Sequence, residues 1–391
     1  MFYKIINRKK RIATRVADAI GRILWSPLNI LKGNGRIEAK GVREILVVRT
    51  AYIGDVVMTL PILRPLRELF PEGRITFLTS TGAKDLLKDN PCVDSVIAYD
   101  AFWFYPGGGL REYLGFLKAL RKKRYDLVIE ARGDIRDILF IAYPSRSRYR
   151  VGYNVGGGGF LLTHVVPFKE VKHKVEYHLD IVRFLGAPVD KLDWGLTASG
   201  SEVKKAIEAL GIGGISTPLA AGIHPGGRKG LKCWGTEKFA LLADRLVREL
   251  GARVYFTGSA QEASLIEEIL GGMSRKGVSL AGKTDIRTSA AVIGRLDVFV
   301  TNDSAPLHLA SARKTPTVAI FGPSKSNETG PCGNAHRVVE KDFPCRHSCD
   351  EDVCRHTPYN ECMESIGVDD VFDAVADLLE ATGRRNNGSK A

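Results

Sequence analysis

From Ile45 onward the chain consists of short apolar runs separated by helical stretches, and after a break the same alternation starts again. ILVV at 45–48, RITFLTS at 74–80, SVIAYD at 95–100 and YDLVIEA at 125–131 read as strands, with helical stretches over about 55–70, 83–88, 110–123 and 134–142. Strands that alternate with helices run parallel, because each helical crossover returns the chain to the same end of the sheet. A helical segment, HKVEYHLDIVRFLG at 173–186, leads into 187–199, where the pattern fades and an interdomain linker is expected. LAAGI at 219–223, ARVYFTG at 252–258, DVFVTN at 297–302 and TPTVAIFG at 315–322 then alternate with helices near 236–250, 260–270, 284–294 and 304–313. A last helix is expected over 369–381. The fold class is therefore α/β, with one Rossmann-like domain over 45–190 and a second over 191–382. A length of 391 residues suits two such domains. They are expected to face each other across a cleft at the carboxyl ends of their strands, where open parallel sheets bind ligands.

What precedes the first strand has a different character. Residues 1–44 hold eleven Lys or Arg and three acids, which is most of the formal charge of +13. Ile5, Ile12, Val16, Ile20 and Leu24 fall near a 3.6-residue period, with Arg8, Arg11, Arg15 and Arg22 largely on other faces. This is a basic amphipathic helix over 4–25, closed by Trp25, stopped by Pro27 and followed by a Gly-rich linker, GNGRIEAKG. Such a helix suits an anionic membrane surface; the alternative is a helix packed on its own domain. No apolar run reaches the ~20 residues needed to span a bilayer, and no secretory leader is evident. A cytoplasmic protein, peripheral on the inner face of the cytoplasmic membrane, is the expectation. No helix-turn-helix, finger or RNP-like pattern supports a nucleic-acid partner. The tail over 383–391 is polar.

Three segments carry chemistry. In RTAYIGDVV at 49–57, Gly54 allows a tight turn after the first strand and Asp55 sits near a helix N-terminus. A helix cap is the common use of such an aspartate. The segment lacks the G-x-G-x-x-G spacing of a dinucleotide cradle, so an acidic group at this edge points to a sugar or base ligand. In IHPGGRKGLKCWG at 223–235, Gly226 and Gly227 expose backbone amides beside Arg228, Lys229 and Lys232, a plausible diphosphate cradle without a Walker A sequence. In VTNDSAPLHLA at 300–310, Ser304 and Ala305 open a helix N-terminus to an anion, Asp303 suits sugar hydroxyls or a helix cap, and His308 in the first turns lies on the phosphate side or is a core residue. Two Gly-rich loops, 106–109 and 155–159, are placed to flex over a substrate.

RTAYIGDVVMTLPIL, HPGG with the downstream KCW, and TNDSAPLHLASARKTPTVAIFGPS together resemble the heptosyltransferases, glycosyltransferase family nine, and the similarity extends from Ile45 to about Val375. The resemblance implies a GT-B fold and metal-independent, inverting transfer without a cofactor. An ADP-linked heptose is the implied donor and a lipopolysaccharide core or other lipid-linked saccharide the acceptor. It casts Asp55 as the base, Lys232 as the diphosphate ligand, Glu262 in GSAQEAS as the ribose ligand, and Asp303, Ser304 and His308 as the family's D-[ST]-G-x-x-H motif. Ala305 replaces the glycine of that motif. Arg136, after the GD at 133–134, becomes a candidate acceptor ligand for an acidic sugar or phosphate. Four crowded cysteines, Cys345, Cys349, Cys354 and Cys362, are interleaved with His347 and His356 but lack the paired CxxC spacing of a zinc site, leaving metal ligation and plain reduced thiols both open. Two other functions fit the same fold: a nucleotide-sugar epimerase, and a saccharide-binding protein without catalysis.

Overall fold

The structure is a computed structural model that describes residues 8–30, 37–212, 218–349 and 351–384. Two compact units divide the chain, Met1–Gly195 and Leu196–Ala391.

The first unit is built on six parallel strands: β1 (Glu44–Arg49), β2 (Arg74–Thr79), β3 (Ser95–Ala98), β4 (Leu127–Glu130), β5 (Tyr149–Gly152) and β6 (His164–Val165), in the order β3-β2-β1-β4-β5-β6. The central strands are apolar between their charged end residues because helices cover both faces. Ile45, Leu46, Val47 and Val48 of β1 and Leu127, Val128 and Ile129 of β4 have no exposed surface, each such burial being worth ~1.5–3 kcal/mol. The strand order reverses between β1 and β4, so the loops that follow these two strands open a crevice at the sheet's carboxyl edge. β1 leads into the helix Ile53–Thr59, which carries Asp55.

The second unit repeats this winding with β7 (Ala220–His224), β8 (Arg253–Phe256), β9 (Gly277–Ser279), β10 (Val298–Asn302), β11 (Thr317–Phe321) and β12 (His336–Glu340), all parallel and ordered β12-β11-β10-β7-β8-β9. Its switch point lies between β7 and β10, the strands that precede the HPGG and TNDSA segments. Trp234 fixes the first of these loops. Its ring is buried edge-on to Phe239, its Nε1 donates to the Ile366 carbonyl at 3.0 Å, and its amide donates to Asn302 Oδ1 at 3.1 Å.

The N-terminal helix runs Arg8–Ile30, past Trp25 and through Pro27, rather than stopping there. Proline's fixed φ is helical, and so near the end of the helix it forfeits a single backbone bond. Ile5, the linker residues 33–36 and the tail beyond 384 lie outside the described residues. The helix docks on the first unit through a small, polar face. Asp18 accepts the Gly158 amide at 2.8 Å, Gly21 is close against the Phe160 ring, and Thr14 faces Gly157. Its apolar residues Ile12, Val16, Ile20, Ile23 and Leu24 are all more than half exposed.

Candidate functional site

Asp55 is the third residue of its helix, and the structure gives it two jobs at once. Its Oδ2 reaches back to the Tyr52 amide at 3.3 Å, the cap that an aspartate in this place usually makes. Its Oδ1 meets Arg49 Nη2 at 2.7 Å and Lys174 Nζ at 3.4 Å. Burial pushes the carboxyl up, but Lys174, Arg49 and Arg132, with the Tyr52 amide, overcome this and hold it well below the ordinary carboxylate range. Asp55 is therefore ionised at neutral pH. It opens into a cavity of about 220 Å³ lined by Arg49, Arg132, Tyr153, Lys174 and His178 among others. Two arginines and a lysine thus surround one carboxylate. Arg49 Nε and Arg132 Nη1 are buried with no hydrogen-bond partner among the described residues, leaving donors for a ligand. His178 is locked to the Met58 carbonyl at 2.8 Å and pushed down to about 3 by burial and Arg49, so it is neutral and structural.

The loop after β4 needs a left-handed residue, and Gly133 supplies it with φ +73°; a Cβ there would come within 2.9 Å of Val155. Glu130 anchors the turn by accepting the amides of Arg132 and Gly133. Below it, Asp137 accepts from Thr50 Oγ1 and from Trp103 Nε1. Burial and Asp137 push Glu130 up to about 8, and burial and Asp134 push Asp137 up to about 6. Neither lines the cavity. Arg136 does not line it either. Its guanidinium holds Asp134 in a two-pronged pair at 2.9 and 2.7 Å, donates to the Trp103 carbonyl and lies 4.4 Å from the Phe104 ring centre. Its charge is already met. Arg132, over the other part of the same ring at 4.0 Å, is the arginine that lines the cavity with Asp55.

In the second unit the β7 and β10 loops are tied together by Asn302, whose Nδ2 donates to the carbonyls of Pro225 at 2.7 Å and Gly226 at 3.3 Å. Gly226 has no room for a side chain, since a Cβ would lie 1.9 Å from Glu262 Oε1; a Cβ at Gly227 would sit 3.0 Å from Cys233 Sγ. Glu262 accepts from the Ser259 amide at 2.7 Å and hydroxyl at 2.8 Å, which orients its carboxylate at the Gly226 loop. Lys232 Nζ pairs with Asp303 Oδ2 at 2.7 Å and with Glu351 Oε2 at 2.8 Å. Burial would push Asp303 up, and Lys232 overcomes this and lowers it. Ser304 begins the helix Ala305–Ala312 without capping it by its own side chain, so the turn at Ser304–Ala305 leaves helix amides facing outward. His308 is buried on that helix. The structure thus gathers Gly226, Gly227, Lys232, Glu262, Asp303, Ser304 and Ala305 around one switch point.

Cys345, Cys349 and Cys354 all lie near Cys362, whose thiol is pushed up to about 11 by burial and then by Cys345. All four are free thiols. Among the described residues no three or more His, Cys, Asp or Glu are grouped to hold a metal; the side chain of His347 is not described.

The sequence matches the glycosyltransferase family 9 (heptosyltransferase) model over residues 113–359. The chain belongs to this family. Among its relatives, this family 9 protein is 31% identical over 347 residues to lipooligosaccharide heptosyltransferase 2 of Campylobacter jejuni, covering 86% of this chain and 99% of that one. It is 28% identical over 278 residues to lipopolysaccharide heptosyltransferase 3 of Escherichia coli, covering 69% and 80%. Among solved structures, E. coli ADP-heptose lps heptosyltransferase II superposes with a TM-score of 0.71 at 24% identity, over 87% of this chain and 99% of that one. That likeness shows the fold: the two parallel sheets are those of the GT-B heptosyltransferases.

Proposed function

We propose that the chain transfers a heptose or related sugar from an ADP-linked donor to a lipid-linked saccharide, with inversion at the anomeric carbon and without a metal. The observation that carries this reading is Asp55: an ionised carboxylate at the carboxyl edge of the first sheet, opening into a cavity ringed by Arg49, Arg132 and Lys174. An acceptor hydroxyl held there loses its proton to Asp55 as its oxygen attacks the donor's anomeric carbon. In the second unit Lys232 and the amides at Gly226, Gly227, Ser304 and Ala305 meet the growing charge of the departing ADP, Glu262 takes the ribose hydroxyls, and Asp303 with His308 contacts the donor. A single displacement inverts the anomeric carbon. Solved E. coli relatives hold ADP and ADP-2-deoxy-2-fluoro heptose, which supports the donor class.

Two further features support the acceptor class. The excess of cations over Asp55 draws an acceptor that carries a carboxylate or phosphate, and Arg132 and Lys174 are better placed for it than Arg136. The N-terminal helix turns its apolar stripe away from the unit it docks on and carries Arg15 and Arg22 on its exposed surface, which suits an anionic bilayer holding such acceptors. Among the described residues no helix is long and apolar enough to cross a membrane. The test is ADP release from ADP-heptose, with a chelator present, with and without a lipid-linked saccharide. Release that requires the acceptor and survives the chelator is expected. A changed sugar without any acceptor would indicate an epimerase, and no turnover of any ADP-sugar would indicate a binding protein.

A further inference from the structure

The cations of the second unit are occupied from within the chain. Lys232 Nζ contacts Glu351 Oε2 at 2.8 Å, and Lys229 Nζ contacts Asp352 Oδ1 at 2.8 Å and Glu351 Oε2 at 3.6 Å. With Asp303 also on Lys232, three carboxylates face the two lysines and offset their charge. A diphosphate approaching it meets repulsion until Glu351 and Asp352 withdraw.

These two acids sit on the cysteine-rich segment that runs from Pro344 to Cys362. Both of its ends are fastened. Arg346 donates to the carbonyls of Lys341 and Ser324 at 2.9 Å each. At the far end His356 Nε2 pairs with Glu361 at 2.6 Å, and the Asn360 amide donates to Cys354 Sγ at 3.3 Å. Between these anchors Asp352 and Val353 are exposed, and Glu351 and Asp352 form ion pairs with the two lysines. Glu351 has φ +64°, a left-handed conformation that is unfavourable for a non-glycine residue. A backbone held in that region by two ion pairs is set to relax when they are broken.

We propose that residues Glu351 and Asp352 form an acidic strap that occupies the diphosphate cradle as an internal counter-ion and is displaced by the donor's diphosphate. The proposal rests on the reading of Lys232 as a diphosphate ligand. Donor affinity is then reduced by the fraction of molecules in which the strap is seated, and donor binding frees the segment that carries the four thiols.

The test measures ADP binding to the full chain by calorimetry, comparing wild type, Glu351→Gln with Asp352→Asn, and Lys232→Met. The strap variant is expected to bind ADP about three- to tenfold more tightly, the range a half-exposed ion-pair competitor allows. In the wild type, ADP is expected to speed hydrogen exchange across 351–362. Unchanged or weaker ADP binding by the strap variant, with Lys232→Met still losing ADP, overturns the strap and leaves the cradle standing. ADP binding by Lys232→Met at wild-type strength overturns the cradle, and the strap with it.

Discussion

Replacing Lys232 by Met keeps most of the apolar stem and removes the terminal ammonium, which isolates what that charge does for Asp303. The Lys232 side chain is 16% exposed and that of Asp303 is 7% exposed. Removing one partner of a fully buried ion pair costs about 3–5 kcal/mol. Residual access to water places this pair at or below the bottom of that range, at about 2–3 kcal/mol, with Glu351 contributing little because it can turn to solvent. For a unit of this size ~1 kcal/mol moves the melting temperature by about 2–4 °C, so a fall of roughly 5–10 °C is expected at pH 7. The sign with pH follows from Asp303. In the wild type its folded pKa is lowered, so the stability it contributes is present above the unfolded value near ~3.9 and is lost as pH falls through the folded one. In the variant burial is opposed by His308 and the Ser324 hydroxyl but no longer by Lys232, and the folded pKa is expected to rise above the unfolded one, so stability is lost as pH rises above the unfolded value. The gap between the two melting curves should therefore be small near pH 4 and widen toward pH 7. Adding Asp303→Asn to the variant should recover much of the loss. Melts by circular dichroism from pH 4 to 8 decide it. A variant within about 1 °C of wild type, or a gap that does not depend on pH, would refute the claim that Lys232 neutralises a buried Asp303.

Deleting residues 1–32 should leave ADP binding intact and weaken binding to anionic vesicles in a low-salt flotation assay, since the helix meets the first unit through Thr14, Asp18 and Gly21 and not through its apolar stripe; equal binding by both proteins would remove the membrane role. Because Asp55 is held well below the usual carboxylate range, the acid limb of kcat/KM should lie below about pH 4. Lys174→Ala should move that limb upward, and a limb unchanged by the substitution would show that Lys174 does not set the ionisation of Asp55.

Much of the fold is legible because the central strands are continuous apolar runs bounded by turn signals, as at 45–48 and 297–302. The strands β5, β6, β9 and β12, at or next to a sheet edge, escape such a reading, since a strand of two to five residues with Gly152, His164 or His336 in it carries too little pattern. The helix Gly200–Leu210 is missed for another reason: it follows directly on the irregular segment, although Ser199 and Glu202 do spell a capping box. The site is legible in proportion to how local it is. Asp55, Lys232 and Asp303 stand in distinctive short segments. Arg49, Arg132 and Lys174 converge on Asp55 from three distant stretches, and no spacing rule joins them. The bond between Arg136 and Asp134 is local, but only coordinates show that it consumes the charge. Likewise the reach of Glu351 to Lys232 depends on how a long irregular segment is anchored at Arg346 and Asn360.

The central claim is that Asp55 is the base, and its most direct test is single-turnover transfer by Asp55→Asn, with ADP affinity measured on the same protein. Asn keeps the size of the side chain and can still face Arg49 through its carbonyl oxygen, but it cannot take a proton. Turnover should fall by roughly 10²–10⁴-fold while ADP affinity stays near that of the wild type. Transfer at the wild-type rate, or a loss of ADP binding as severe as that of Lys232→Met, would contradict the account and leave Asp55 as the helix cap it also is.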